Sequence, residues 1–452
     1  MDGPSEKDKV IGGASKAALG LNLRHLRAFS AVAAAGSIAG AADGLYRVAS
    51  AVTRSISELE SALQRPLFER RSRGVTLNRY GQLVLLRVHR IEREFQEART
   101  QLMSRGGIPP SSDIRSLFAS ILNGRRLAVV SSLAENRNMP TVAREFQISQ
   151  PAISSALKDI EEGLGVALFD RTARGLVPTI AGEIVAFYFK RVLAELRHIS
   201  PDIAASEGIL EGSIHVGALP LGRTQILPLA ISSLLSKHSG LHVTTVESPY
   251  DALAASLRSG DIDFILGALR NAEDEKDLVQ EPLFEDCISI IARADHHLTG
   301  VPRINFDVLR EATWVLSRHG SPSRELLKRF FSAARQEAPV PAVETGDLAV
   351  LRGLLMEGNM VTAISAHQLR YEIRDGSLVV LDFPLEATRR QIGITQRSRA
   401  FPSPGARALM NRIREVVSQS PDFTLVHLNA ASHTEPIAST AQVNSCLRPN
   451  AF

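Results

Sequence analysis

The chain repeats itself at an offset of 101 residues, and this repeat limits the fold more than any other feature of the sequence. Residues 24–98 align with residues 125–199 without a gap. The matches fall on apolar, glycine and arginine positions, which indicates two copies of one structural unit. They include Gly81 with Gly182, Glu60 with Glu161, Leu67-Phe68 with Leu168-Phe169, and Arg73-Gly74 with Arg174-Gly175.

Each copy has the pattern of a winged helix-turn-helix. Apolar periodicity predicts helices at 23–35 and 50–63 in the first copy, and at 124–136 and 151–164 in the second. An arginine-bearing hairpin with a glycine turn follows at 69–77 and 170–178. Helices joined by a tight turn and followed by a basic hairpin form this motif, so we predict helix-rich domains at 22–80 and 123–181.

A long helix is predicted after each hairpin, at 81–105 and 182–210, because Asn78 and Thr179 are good N-caps. The spacing of the apolar residues alternates between four and three, as in a coiled coil, so each helix is expected to dimerise. The glycine- and proline-rich segment 106–122 is the predicted flexible linker. The apolar positions are Val84, Val88, Ile91, Phe95, Ala98 and Leu102 in the first helix, and Val185, Phe189, Val192, Leu196 and Ile199 in the second.

Residues 211–417 alternate short β-branched strands with helices, beginning IHVGAL, ILPLAISSLLSKH, HVTTVE. This order predicts βαβ units and a mostly parallel sheet covered by helices. Residues 418–452 are rich in Ser, Ala, Thr and Asn without periodicity, and they are predicted to be a disordered tail.

Charge and cysteine content narrow the function. Up to Glu211 the chain has 28 Lys and Arg against 22 Asp and Glu, whereas the remainder has 24 against 26. A basic half joined to a mildly acidic half is typical of a nucleic-acid-binding part with a separate second part. The two cysteines, Cys287 and Cys446, exclude a disulfide framework and a cysteine-based zinc site.

The N-terminus predicts a cytoplasmic protein. It contains Lys7, Lys9 and Lys16 but no apolar segment long enough for a signal peptide. The uncharged run at 28–42 is too short to span a bilayer, so no membrane association is expected.

The run TVAREFQISQPAISSALKDIEEGLGVALFDRTARGLVPTIAGE at 141–183 resembles the DNA-binding domain of LysR-type transcriptional regulators. It contains that family's Ser-Gln-Pro-Ala, Leu-Phe-x-Arg, Arg-Gly and Thr-x-x-Gly elements. EGSIHVGALP at 211–220 is similar to the start of the family's effector domain, and ALPLGRTQILP resembles the branch that includes the galactose-binding-protein regulator. The first copy departs from the motif, with Ala49-Ser50 in place of Gln-Pro and Asn78 in place of Thr.

The resemblance implies a sequence-specific regulator that binds double-stranded DNA and responds to a small molecule, a sugar or a small organic acid. It also implies a homodimer or homotetramer, RNA polymerase as a further partner, and no cofactor or catalytic role. The effector domain is expected to have two subdomains around a cleft, as in periplasmic binding proteins of type II.

The resemblance places the second recognition helix at about 150–160. Gln bonds adenine bidentately, Ser donates to bases or phosphates, and Pro and Ala contact the thymine methyl. Arginines on the hairpin suit phosphate or minor-groove contacts. The predicted DNA-binding residues are Gln150, Pro151, Ala152, Ser154, Ser155, Lys158, Arg171 and Arg174 in the second copy, and Thr53, Arg54, Arg70, Arg71 and Arg73 in the first.

Ligands of open α/β sheets bind beyond the carboxyl ends of strands. On that basis the predicted effector-binding residues are Leu219, Pro220, Leu221, Gly267, Ala268, Ser317, Thr345, Gly346 and Ser365. The sequence leaves two alternatives open, a solute-binding protein without DNA reading and an enzyme on the α/β half. Ser155 and Lys158 have the Ser-x-x-Lys spacing of an acyl-transfer site, but its companion motifs are absent, so we interpret the match as coincidence.

Overall fold

The computed structural model describes residues 10–11, 14–15, 20–72, 74–105, 123–172, 175–271, 273, 275–421 and 423–425. The predicted linker 106–122 and the part of the predicted tail beyond residue 425 lie outside these ranges. A short antiparallel pair, β1 (Val10–Ile11) and β2 (Ala14–Ser15), precedes the first repeat copy.

The two repeat copies have the same order of elements, three helices, a hairpin and a long helix. The first contains α1 (Leu23–Ala35), α2 (Ile38–Gly44), α3 (Ala49–Leu63), β3 (Phe68–Arg71), β4 (Gly74–Leu77) and α4 (Arg79–Ser104). The second contains α5 (Gly124–Asn136), α6 (Met139–Phe146), α7 (Gln150–Leu164), β5 (Phe169–Thr172), β6 (Gly175–Pro178) and α8 (Ile180–Ser206). The predicted helices at 23–35 and 124–136 are confirmed residue for residue.

The local sequence explains where these helices begin and end. The side chains of Asn22 and Asn123 accept hydrogen bonds from the backbone of the first turns of α1 and α5. Asn78 and Thr179 cap α4 and α8 in the same way. Both long helices begin two residues before the predicted positions 81 and 182, and α8 ends at Ser206 rather than at 210, because Glu207 has already left the helical conformation.

The hairpin of each copy is fixed to that copy's first helix. Val75 donates its backbone N–H to the carbonyl of Gly36, 2.9 Å away, and Leu176 donates to the carbonyl of Arg137 at 3.2 Å. Gly74 and Gly175 have positive φ, and a Cβ on either would lie 2.3 or 2.6 Å from those same carbonyl oxygens. The repeated Arg-Gly therefore needs its glycine for the close approach of two backbones.

The apolar seams of α4 and α8 are buried, but they pack against each other within one chain. Arg87 of α4 bonds Glu195 and Asp202 of α8, while Glu94, farther along α4, bonds Arg191, which comes earlier in α8. The helices therefore run antiparallel. The expectation that each seam binds another copy is corrected, because the chain already supplies both seams to one hydrophobic core.

The described residues after α8 form two α/β subdomains, and the backbone passes between these subdomains twice. The strands are β7 (Glu211–Ala218), β8 (Gly240–Val246), β9 (Phe264–Ala268), β10 (Leu278–Asp286), β11 (Ile288–Arg293), β12 (Thr313–Leu316), β13 (Val343–Glu344), β14 (Met360–Ser365), β15 (Leu378–Val380), β16 (Arg390–Arg397) and β17 (Thr424–Leu425). The first sheet has the order β17-β10-β16-β9-β7-β8 and the second β13-β12-β14-β11-β15. The helices are α9 (Pro220–Thr224), α10 (Ile226–Leu235), α11 (Tyr250–Ser259), α12 (Phe306–Glu311), α13 (Pro322–Ala333), α14 (Leu348–Glu357), α15 (Arg370–Arg374) and α16 (Pro404–Gln419).

Both sheets are mixed rather than purely parallel. β7 pairs parallel with β8 and β9, and β12 pairs parallel with β13 and β14. The crossing strands β10 and β16 pair antiparallel with each other. The predicted tail boundary at 418 is wrong, because α16 continues to Gln419 and β17 adds to the edge of the first sheet beside β10.

Replacing Gly182 with alanine should destabilise the protein. Its Cβ would lie 2.0 Å from the carbonyl oxygen of Leu168, which already accepts the N–H of Thr179. Moving backbone apart in a packed core costs about 1–3 kcal/mol, so thermal unfolding followed by circular dichroism should show a lower melting temperature.

Gly353 supplies the matched control, since it is inside α14 and a Cβ there meets nothing within 4 Å. Gly353→Ala should be neutral or stabilising by up to about 1 kcal/mol. Equal melting temperatures for the two variants would contradict the close approach at Gly182.

Candidate nucleic-acid interface and effector cleft

The third helix of the second copy, α7, has a buried face and an exposed first turn. Ser149 caps the helix by accepting the N–H of Ala152, and Pro151 is in the first turn, where its missing N–H costs nothing. Ile153, Leu157, Ile160 and Leu164 face the core. Gln150, Pro151, Ala152, Ser155 and Lys158 are exposed on the other side, and Ser154 is half-buried.

Some of the polar side chains of α7 contact other residues, and others have no partner in the part of the chain that the structure describes. The Lys158 ammonium lies 3.5 Å from Glu162, and the Ser154 hydroxyl lies 3.5 Å from the sulfur of Met139. Among the described residues, neither the Gln150 amide nor the Ser155 hydroxyl has a hydrogen-bond partner. Both are therefore free to bond an external partner.

Sequence reasoning missed two side chains beside this turn. A shallow groove between α6 and α7 is lined by Arg144, Gln147 and Gln150. Arg144 and Gln147 are exposed, and Gln147 has a positive φ in the turn between the helices. The sequence signal that could have identified them is the position of the turn, because residues between α6 and α7 lie next to the first turn of α7.

The hairpin of the second copy carries Arg171 in β5, exposed and paired across the strand with Leu176. Arg174 lies outside the described residues. In the first copy the backbone of Arg70 lies in β3, opposite Val75, and Arg73 lies outside the described ranges. The Arg71 guanidinium is exposed, 3.0 Å from the carboxylate of Glu69 and 3.4 Å from the Thr76 hydroxyl.

The corresponding helix of the first copy, α3, also exposes its first turn, but its Thr53 and Arg54 side chains form hydrogen bonds within the helix. The Thr53 hydroxyl donates to the carbonyl of Ala49 at 3.0 Å. The Arg54 side chain, 82% exposed, donates to Glu58 at 2.7 Å. The hydrogen bond from Arg54 lowers the pKa of Glu58, which also lies 2.9 Å from the imidazole of His25.

The predicted effector residues lie at or near the carboxyl ends of parallel strands. Leu219 follows β7, Ser317 follows β12, Thr345 follows β13 and Ser365 ends β14. Gly267 and Ala268 are the last two residues of β9 rather than the residues after it. The two subdomains touch nearby, where the Thr224 hydroxyl of α9 donates to the carbonyl of His367 at 3.3 Å.

Three of the predicted effector residues are core residues instead. Leu219 is buried, and a Cβ on Gly267 would lie 2.5 Å from the Cβ of Leu219. Leu221 belongs to the core of the first subdomain. These positions pack the sheet against its helices, whereas Pro220 is exposed. Apolar residues just after a strand continue its core, so a role for Leu219, Leu221 and Gly267 in effector binding stays a prediction.

Ser365 is also unavailable to a ligand as a free hydroxyl. It is fully buried, and its hydroxyl donates to Asp286 at 2.6 Å. The other oxygen of Asp286 accepts from Arg390 at 3.1 Å. This network joins β14 to the ends of both crossing strands, so Ser365 stabilises the junction between the subdomains.

Ser317, Thr345 and Gly346 lie at neighbouring strand ends in the second subdomain. Ser321 donates its hydroxyl to that of Ser317 at 2.7 Å, and the backbone N–H of Thr345 donates to Leu316 at 3.0 Å. Gly346 is exposed, with the Arg318 guanidinium 3.8 Å from where its Cβ would be. An arginine thus lies over the exposed backbone of this loop.

Sequence reasoning also missed polar groups in the first subdomain. Among the described residues, Nε of Arg223 and Oε1 of Gln225 are buried without a hydrogen-bond partner. Arg270, just after β9, lies with its guanidinium 4.1 Å from the centre of the Tyr250 ring. Burial lowers the pKa of Arg270 and raises the pKa of Tyr250 to about 12. Unpaired buried polar atoms beyond strand ends are typical of a ligand site.

The described residues contain no cluster of three or more His, Cys, Asp or Glu arranged to hold a metal ion. No helix among them is both long enough and apolar enough to cross a bilayer.

Comparison with known proteins agrees with this geometry. The profile described as "Bacterial regulatory helix-turn-helix protein, lysR family" matches residues 23–82 and again 125–183, and "LysR substrate binding domain" matches 207–418. The HTH-type transcriptional regulator GalR of Pseudomonas putida is 46% identical over 398 residues, covering 88% of this chain and 98% of the relative.

More distant relatives match a smaller part of the chain. The uncharacterised HTH-type transcriptional regulator YdcI of Escherichia coli is 28% identical over 66% of this chain and 97% of its own length. The structure of full-length OxyR from Pseudomonas aeruginosa has a TM-score of 0.51 at 22% identity, over 66% of this chain and 95% of that one, which supports the fold.

These matches do not favour the alternatives of a solute-binding protein without DNA reading or an enzyme, because the helix-turn-helix profile and the relatives are those of regulators. The chain belongs to the LysR family of bacterial transcriptional regulators, with helix-turn-helix DNA-binding and effector-binding domains.

Proposed function

We propose that this chain is a cytoplasmic regulator in which a duplicated winged helix-turn-helix binds promoter DNA and a periplasmic-binding-protein-like domain modulates that binding. The observation that carries the proposal is the pair of exposed first turns on α3 and α7, in two units of the same element order. Double-stranded DNA is the partner of both units. RNA polymerase is a further proposed partner.

The two units would divide the work of recognition. Base reading needs side chains that are free to bond base edges, whereas phosphate contacts need only a positive charge close to the DNA backbone. In α7 the Gln150 amide and Ser155 hydroxyl have no partner among the described residues. In α3 both Thr53 and Arg54 are bonded to their own helix. We therefore assign base reading to the second unit and mainly phosphate binding to the first.

Gln150→Ala should relax discrimination at one or two base pairs and cost about 1–3 kcal/mol on the preferred site, because a bidentate contact to a base is lost. Arg71→Ala should instead weaken binding to all sequences alike and lower the salt-dependence slope by about one unit. Selection from a random-sequence pool and titration at several salt concentrations measure both effects.

Arg54→Ala is the matched variant in the other recognition helix. It should leave the selected sequence unchanged. If Arg54→Ala erases a base preference while Gln150→Ala does not, the roles of the two units are the reverse of those assigned here.

We propose that the effector is small and anionic, a small organic acid in preference to a neutral sugar. Arg223, Arg270 and Arg318 lie just beyond strand ends on both sides of the junction between the subdomains. A guanidinium matches a carboxylate bidentately. The unpaired amide oxygen of Gln225 would accept from a hydroxyl on the same molecule.

Closure around the ligand would act on the DNA-binding units through the loop between β16 and α16. Arg87 and Arg90 of α4 donate to the carbonyls of Phe401 and Arg399 in that loop. At its other end β16 begins with Arg390, which binds Asp286 at the subdomain junction. A ligand shifts such an equilibrium only by its differential affinity for the two states.

Thr345→Trp should block ligand binding while leaving basal DNA affinity unchanged. The residue lines the proposed cleft and follows β13 in the second subdomain, whereas α4 and α8 contact the Phe401 loop and the first subdomain. Small carboxylic acids and sugars can be screened by thermal shift, since a bound ligand raises the melting temperature by mass action. The variant should lose that rise and the accompanying change in DNA affinity.

Val340→Trp is the control, because Val340 is 87% exposed. Leu219 is a poorer test site than Thr345, since a larger side chain at a buried position would disturb the fold. A Thr345→Trp protein that responds to ligand like the wild type would place the cleft elsewhere.

Association of chains into a homodimer or homotetramer stays part of the proposal. It requires surfaces other than the α4 and α8 seams, because these bury each other. Light scattering at micromolar concentration should give a mass at least twice the 49.0 kDa of one chain. A single-chain mass would contradict the proposed association.

A further inference from the structure

The ion pairs between α4 and α8 occur twice, with their roles exchanged. The Arg90 guanidinium lies 2.8 Å from Glu195, and the Arg191 guanidinium lies 2.8 Å from Glu94. The 101-residue offset converts Arg90 into Arg191 and Glu94 into Glu195. Each copy therefore gives its arginine to the other copy's glutamate, as two subunits do across a twofold axis.

A second contact lies on the same local axis. Asn22 and Asn123 form an antiparallel backbone bridge, and Gly124 donates its N–H to the carbonyl of Leu21 at 3.2 Å. The same offset relates Asn22 to Asn123. A residue that pairs with its own equivalent must lie at the axis of a twofold arrangement, so the helix pair and this bridge define one symmetry.

The pairing is complete within a single chain. All eleven seam positions of α4 and α8 belong to one core, and each seam residue is at most 6% exposed. The carboxylates of Glu94 and Glu195 are also at most 3% exposed. No part of this interface is left for a second copy to complete.

We propose that one chain is a self-contained pair of DNA-binding units that spans two different half-sites at a fixed spacing on one duplex. The inference rests on the proposed function, because it needs both α3 and α7 to face DNA. Helix-turn-helix dimers bind half-sites whose spacing reflects the separation of their recognition helices. Here that separation is set by intrachain contacts, and the two half-sites differ because the units differ at their first turns.

The two half-sites differ because equivalent positions in the two recognition helices carry different residues. Ala49 and Gln150 are related by the 101-residue offset, as are Ser50 and Pro151 and also Arg54 and Ser155. Methyl, hydroxyl and guanidinium groups on one helix thus correspond to amide, ring and hydroxyl groups on the other. The partner is therefore a duplex with one half-site read at its base edges by α7 and a second bound mainly through its phosphates by α3, rather than a palindrome.

A disulfide test separates pairing within a chain from pairing between chains. Bridged antiparallel residues have Cα atoms about 4.5–5.5 Å apart, within reach of a disulfide. In a chain with Cys287→Ser and Cys446→Ser, the variant Asn22→Cys, Asn123→Cys should cross-link on treatment with diamide. We expect a faster-migrating species of single-chain mass on a denaturing gel without reductant.

The single variants Asn22→Cys and Asn123→Cys are the controls, and neither should give that species. A cross-linked product of twice the chain mass as the main product would overturn the proposal, since the two copies would then pair between chains.

A complementation test addresses the DNA. Ala49→Glu and Gln150→Glu put a carboxylate at equivalent exposed positions in the first turns of α3 and α7, where an acidic residue also suits the helix dipole. On the duplex that the wild type selects from a random pool, each variant should bind about tenfold more weakly or worse, because the carboxylate repels phosphate. The two variants, co-expressed with different tags and purified through both, should bind no better than the weaker one.

Recovery to near wild-type affinity in the doubly purified sample would overturn the proposal, because half-sites would then be read by units of different chains. If neither single variant loses affinity, the recognition helices do not contact DNA and the proposed function fails. In that case the cross-linking result still decides, separately, how the two copies pair.

Discussion

The guanidinium of Arg87 holds together the three parts of this molecule. It is fully buried, 2.6 Å from Asp202 and 2.7 Å from both Glu195 and the carbonyl of Phe401, with the Phe401 ring 4.5 Å away. Burial alone would lower the pKa of Arg87, but the two carboxylates raise it above its usual range. A buried charge that loses its partner costs about 3–5 kcal/mol, so the first repeat copy, the second copy and the effector domain are joined through one side chain.

Besides its contacts with Arg87, α8 packs against both the first repeat copy and the effector domain. On one side it packs along α4, and on the other it faces the first subdomain, where His198 lies 3.3 Å from the carboxylate of Asp263 and Arg197 lies 3.5 Å from it. Burial raises the pKa of Asp263, but the adjacent His198 ring and the charge of Arg197 more than offset this, so its pKa is held well below its usual range. Burial lowers the pKa of His198. A layer of buried polar contacts therefore connects the effector domain to α8.

Much of this fold could be predicted from sequence because its signals are local. The caps at Asn78 and Thr179, the glycines that permit backbone contact and the apolar periodicity all act within a few residues. The partner of each seam could not be predicted, because a heptad pattern specifies an apolar stripe and not the chain that covers it. The effector-binding residues stay a prediction. Strand ends were recognisable, but whether Leu219 or Ser365 faces a ligand or the core depends on Gly267 and Asp286, which are distant in sequence.

The fusion of two unlike recognition helices has a consequence for geometry on DNA. A homodimer with identical readers looks the same after a half-turn about its axis, so it has no front or back along the duplex. In this chain the half-turn exchanges Ala49 with Gln150 and Arg54 with Ser155, and the two placements differ in energy. The single effector domain, attached through α8 and the Phe401 loop, breaks the symmetry as well. If both units bind DNA as proposed, a regulator built in this way has a polarity, and it binds its promoter in one direction.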